Sequence, residues 1–232
     1  MLGFFYFDPL YFLFLIPGML LAGWAQMRVR SAYDRGKRQM ASSGLTGAQT
    51  AQRILDMQGI HNVRVAREPN FLGDHYDPRH KVLKLSPDVY DGRTIAAVGI
   101  AAHEVGHAIQ DARRYSPLVI RNGMVPLAST GSSLSVIFIF AGLLISSLQF
   151  LAVVGLGLFA LTVIFQLVNL PVEFDASKRA RAVLVDGGII SPHEDPLVAK
   201  VLNAAALTYV AATLVAILQL AYFAIRVMGS RQ

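Results

Sequence analysis

The sequence predicts a mainly α-helical membrane protein, with about four transmembrane helices and a polar α+β segment on the cytoplasmic side. Three observations predict it. Of 232 residues, 54% are hydrophobic and only 16% charged, a balance typical of chains that place much of their length in lipid. Uncharged runs of spanning length recur along the chain. Lys and Arg gather in the segments that four spans would place on one face of the bilayer.

The first run, Pro9 to Met27, follows an aromatic opening of Phe4, Phe5, Tyr6 and Phe7 and carries no charge. It is predicted as transmembrane helix 1 (9–27), kinked at Pro17-Gly18, which membrane helices tolerate. Its basic residues (Arg28, Arg30, Arg35, Lys37, Arg38) follow the apolar run instead of preceding it, so an anchor is expected rather than a cleaved signal peptide.

Residues 28–121 form the one long polar segment. Thr46 and Gln49 have capping-box spacing and Gly59 is a stop signal, so a helix is expected between them. Val63–Ala66 and Lys81–Leu85 read as strands, with Asp77-Pro78-Arg79-His80 as a turn and Ser86-Pro87 starting a helical turn. Lys81–Leu85 is expected at a sheet edge, where an extended peptide can add as a further strand. From Thr94 the chain turns almost wholly apolar and should form a helix to Asp111.

Between Arg121 and Glu173 lie 51 residues without a charge, too long for one span and right for two. A break near Ser146–Gln149 gives transmembrane helices at 124–146 and 150–170. Polar residues return over 171–200, and Ser191-Pro192-His193-Glu194 has the spacing of a helix start, which makes His193 a helix-start residue. Val201–Ile225 is the fourth span. Four spans put 28–121 and 173–200 on the same side, and these hold 15 and 4 of the 21 Lys and Arg, with Arg226 and Arg231 in the tail. The rule that positive loops stay inside makes both cytoplasmic. It also accounts for the net charge of +6 without a nucleic-acid partner, for which there is no motif.

The chemistry concentrates at His103-Glu104-Val105-Gly106-His107. On a helix, positions four apart share a face one turn apart, so both imidazoles can hold one Zn²⁺ from the same side. Glu104 projects beside that ion, where a carboxylate can take a proton from metal-activated water as a general base. It is the only charge between Thr94 and Gln110, and burying it without a partner would be costly. Gly99, Ala101, Ala102, Gly106 and Ala108 leave room for another backbone to approach. The chain has no cysteine, so disulfides and thiolate ligands are excluded. A third ligand must come from the same side of the membrane, where Leu170–Ser177 offers Glu173 and Asp175 as the third apolar run ends.

Long blocks of the chain resemble a known family, the membrane-bound neutral zinc metallopeptidases of the YugP-like group. They include Phe7-Asp8-Pro9, Gly44–Gly47, Asp74-His75-Tyr76-Asp77-Pro78-Arg79, Ala101–Gln110, Leu170–Ser177 and Val201–Tyr209. A more distant similarity is to the HtpX-type membrane metallopeptidases, whose third ligand is a Glu opening an E-x-x-A-D pattern. Glu173 and Ala176 match it. Ser177 departs from it, standing where that pattern has an Asp that orients a zinc-bound His, and Asp175 is the available substitute.

The resemblance implies a cytoplasmic zincin-like α+β metallopeptidase domain joined to four spans in the cell membrane. It implies one zinc ion held in gluzincin fashion by His103, His107 and Glu173, with Glu104 as the base. Its partners would be the lipid bilayer and a protein or peptide substrate. His75, Tyr76 and Tyr209 are candidates for stabilising the oxyanion.

Two other readings of the residues stay open. Val185-Asp186-Gly187-Gly188 looks like the aspartate ligand motif of site-2-type intramembrane proteases, which would make Asp186 the third ligand and sink the metal helix into the bilayer. Asp-Gly-Gly is more simply a helix end followed by a turn. A membrane scaffold keeping zinc for structure alone is the non-enzyme alternative, and it would have no use for Glu104.

Overall fold

A computed structural model describes residues 8–69 and 73–229. Phe4, Phe5, Tyr6, Phe7 and Arg231 lie outside the described residues. The architecture is mainly helical with one small sheet, in the order α1 (Pro9–Lys37), α2 (Gly47–Met57), β1 (Arg64–Arg67), β2 (His75–Asp77), β3 (Val82–Leu85), α3 (Pro87–Tyr90), α4 (Ile95–Ala112), α5 (Ser116–Leu144), α6 (Gln149–Asp186) and α7 (Asp195–Gly229). The helices α1, α5, α6 with the 3-10 turn before it, and α7 are each long and apolar enough to cross a membrane.

The chain forms two compact units. One comprises residues up to Ala25, Ile120–Leu170 and the chain from Thr208; the other comprises Gln26–Val119 and Pro171–Leu207.

In the first unit, α5 and α6 form an antiparallel hairpin around the 3-10 turn Ser146–Leu148. Gly155 lets the two backbones meet: a Cβ there would fall 2.7 Å from the Ser135 carbonyl oxygen. Ile139, Phe159, Val163, Ala216, Tyr222 and Phe223 pack as its core. Asp8 ties the start of α1 to the end of α7, accepting hydrogen bonds from the backbone N–H of Leu10 and the Tyr222 hydroxyl and pairing with Arg226. The outward faces are apolar, with Leu13 68% and Leu20 69% exposed, an arrangement suited to lipid and costly in water.

The second unit carries the sheet. Thr46 and Gln49 form both halves of the expected capping box, and Gly59 (φ +67°) lets the chain leave α2. β3 pairs in parallel with β1 and antiparallel with β2, so the sheet order is β1-β3-β2. This corrects the expected edge position of Lys81–Leu85: β3 is the central strand, flanked on both sides. The strand that occupies one flank, β2, has no alternating apolar pattern and is three residues long. Its turn into β3 is held by Asp77, whose Oδ1 accepts from the backbone N–H groups of Arg79 and His80.

α4 is the axis of the second unit. Thr94 caps it, accepting from the N–H of Ala97. It packs on α2, α3, β2 and β3, and Ile54, Leu55, Leu83, Leu85, Val98, Val105 and Leu184 fill the core between.

The helices run past the limits that charge suggested. α5 starts at Ser116 rather than 124, and α6 continues beyond 170 through Pro171 to Asp186. α7 extends over Asp195–Gly229 rather than 201–225. A charge marks where a helix no longer suits lipid, not where its backbone hydrogen bonds end. The expected helix start at Ser191 is also displaced: residues 191–194 form a turn, in which Glu194 accepts from the backbone and hydroxyl of both Ser191 and Ser42.

Candidate metal centre

The helical spacing of His103 and His107 stacks their rings on one face of α4, 4.8 Å apart between centroids and nearly perpendicular. α6 comes against this face because Gly106 lies between the histidines. A Cβ at Gly106 would fall 2.6 Å from the Ala176 carbonyl oxygen, so only glycine lets the backbones approach this closely. That approach delivers Glu173, one turn before Ser177 on α6.

The Nε2 atoms of His103 and His107 lie 3.3 and 3.7 Å from Oε2 of Glu173. The ligand atoms of the three residues all lie within 4.8 Å of one another. Glu173 is 3% exposed and its Oε2 has no hydrogen-bond partner, because neither imidazole contact has hydrogen-bond geometry. A buried carboxylate oxygen turned toward two imidazole nitrogens and bonded to neither is the arrangement a cation resolves.

The set fits zinc. Bonds of about 2.0–2.1 Å at tetrahedral angles place ligand atoms about 3.3 Å apart, close to the two Nε2–Oε2 distances. Two imidazoles and one carboxylate suit a borderline cation and leave a fourth position open.

Each histidine has a neutral partner at its other nitrogen. Nδ1 of His103 lies 3.1 Å from the Ser177 hydroxyl, and Nδ1 of His107 lies 3.0 Å from Oε1 of Gln110. Gln110 is wholly buried, and its amide nitrogen donates to the Val172 carbonyl and to Oδ2 of Asp175, each at 2.8 Å. Asp175 also accepts from Nε of Arg179, whose guanidinium lies over the Tyr115 ring. Asp175 therefore does not orient a histidine directly, as the sequence reading has it. It reaches His107 only through Gln110, and Ser177 itself meets His103.

The Gln110 contact is absent from the sequence reading. A signal for it exists: Gln110 is three residues after His107, on the same face, and is the one uncharged amide in an apolar helix.

Glu104 is buried on α4. Burial pushes its carboxyl up to about 7, with the His103 ring opposing and the charges of Glu173 and Asp74 adding to the rise. A carboxylate poised near neutrality suits proton transfer in both directions.

The other candidates are placed as follows. His75 is exposed on β2, with Nδ1 2.7 Å from the Gly73 carbonyl; that oxygen can only accept, so Nδ1 carries a proton. His75 and Asp74 are close enough for their charges to act on Glu104. Tyr76 donates its hydroxyl to Oδ2 of Asp111, which also binds Lys81; burial and that carboxylate hold the phenol firmly protonated. Tyr76 thus fastens β2 to α4, with its hydroxyl proton engaged by Asp111. Tyr209 is on α7 in the first unit. Asp186 closes α6, about 20 Å along the same helix from Glu173, and is not among the grouped ligands.

Residues 11–228 match the family described as "Putative neutral zinc metallopeptidase". A protein of Bacillus subtilis (strain 168) named "Putative membrane protease YugP" is 44% identical over 221 residues, spanning 95% of this chain and 98% of that protein. No solved structure matches the chain.

Proposed function

As the chain belongs to the neutral zinc metallopeptidase family that it matches over residues 11–228, we propose that it is a membrane-embedded zinc endopeptidase whose Glu104 is the general base. His103, His107 and Glu173 hold the metal. The observation that carries this reading is the buried Oε2 of Glu173 on α6, without a hydrogen-bond partner and facing the Nε2 atoms of His103 and His107 on α4, where Glu104 follows His103 with its carboxyl pushed up by burial.

Zinc bound there supplies Lewis acidity, which polarises a scissile carbonyl and acidifies water. Glu104 accepts the water's proton and delivers it to the departing amine nitrogen. Of the oxyanion candidates, His75 is the one whose charge acts on Glu104, and its imidazolium form, which donates from both nitrogens, is the candidate donor to the developing oxyanion. The substrate strand adds to the outer edge of β2, which is unpaired among the described residues and packs on α4. The second unit is the zincin-like domain and faces the cytoplasm, as the crowding of Lys and Arg in its segments supports.

A structural zinc would leave the buried Glu104 without purpose, which favours hydrolysis over a scaffold. The test is to purify the protein in detergent, measure zinc, and follow cleavage of an unfolded protein before and after chelation. The reading expects about one zinc per chain, cleavage lost with the metal and regained on its return. Cleavage that persists in fully metal-free protein contradicts it.

A further inference from the structure

The two histidines of the metal centre differ in how firmly their protons are placed. At His107 the decisive group is the Gln110 side chain. Its amide nitrogen faces two groups that can only accept, the Val172 carbonyl and the Asp175 carboxylate. Turning the amide over would set its oxygen against both and its N–H₂ against His107, so the orientation follows from the surroundings. Oε1 must then accept, and the proton on His107 must sit on Nδ1. Nε2 consequently carries the lone pair toward Glu173, the form a metal ligand needs. Ser177 gives His103 no such instruction, since a hydroxyl both donates and accepts.

We infer that Gln110 is the positioning residue of the metal centre, fixing His107 as its Nδ1–H tautomer before metal arrives, with the charge of Asp175 acting on His107 through the Gln110 amide. The charge lies one group farther out than in a direct carboxylate–histidine pair. A carboxylate could not replace this amide, because it would set an oxygen against the Val172 carbonyl and Asp175. Asp175 polarises the amide and strengthens its oxygen as an acceptor. Arg179 balances the charge of Asp175 and keeps it from competing for metal.

The consequence for zinc rests on the peptidase reading above; the tautomer does not. Metal-free protein labelled with ¹⁵N at histidine reports the His107 tautomer by NMR, and chelator competition reports zinc affinity. Wild type is expected to show Nδ1–H. Gln110→Leu removes the acceptor, should move the proton to Nε2 beside Glu173, and should weaken zinc binding about 10- to 100-fold. Asp175→Asn keeps Gln110 in place and should weaken zinc by a smaller factor with the tautomer retained. A thermal melt of the metal-free variants establishes that they are folded. Nε2–H in the wild type overturns the inference whether or not Gln110→Leu folds. So does a folded Gln110→Leu with wild-type tautomer and zinc affinity. If wild type shows Nδ1–H but binds no zinc, the zinc reading fails and the positioning of His107 stands.

Discussion

Gly106 and Ala176 meet backbone to backbone, and a Cβ on Gly106 would intrude to 2.6 Å from the Ala176 carbonyl oxygen. This contact presses α6 onto α4 at the level where Glu173 faces His103 and His107. Gly106→Ala should force the helices apart, costing about 1–3 kcal/mol through overpacking. Because the ligands sit on opposite helices, zinc affinity should fall more than stability does. Thermal melts and zinc titration of the variant check this; unchanged zinc affinity would show that the helix spacing does not set the site.

Glu104 should destabilise the metal-free fold at alkaline pH. Its folded-state pKa of about 7 lies above its ordinary 4.5. The associated stability is therefore fully present below 4.5 and is lost as pH rises through about 7, a difference on the order of 3 kcal/mol. Metal-free Glu104→Gln, which cannot ionise, should melt several degrees above wild type at pH 8 and near it at pH 4.5. A melting difference independent of pH would mean that the buried carboxyl is not charging.

Glu173→Ala should lose zinc while Asp186→Ala keeps it. Glu173 supplies the oxygen that the two imidazoles face, whereas Asp186 is at the end of α6. Equilibrium dialysis with zinc distinguishes them, and the reverse pattern would restore the site-2-type arrangement.

Lys37 and Lys200 should be labelled from the same side of the membrane. Both belong to the second unit, and the chain has no native cysteine to confuse single-cysteine labelling. With cysteine at either position, a membrane-impermeant reagent should react only when the cytoplasmic face is open. Labelling from opposite faces would end the four-span arrangement.

Much of the site is legible in the sequence because it is local. His103, Glu104 and His107 need only helical spacing to acquire their relative positions, and Thr46 and Gln49 form their cap within one turn. The four apolar helices follow from uncharged length. What was not legible depends on distant partners. Nothing in Lys81–Leu85 says that His75–Asp77 will pair on its far side, so the central strand reads as an edge. The continuation of α6 beyond Pro171 is hidden because charge reports environment and not backbone hydrogen bonding. Gln110 carries a local signal, but its amide is oriented by Val172 and Asp175 on another helix.

The most direct test of the central claim is the turnover of Glu104→Gln at equal zinc occupancy. The amide keeps the shape of the side chain but cannot accept the water's proton as a carboxylate does. The account predicts that the variant binds as much zinc per chain as wild type and hydrolyses an unfolded protein substrate at least about 100-fold more slowly. Zinc-loaded Glu104→Gln that cleaves at the wild-type rate would contradict it.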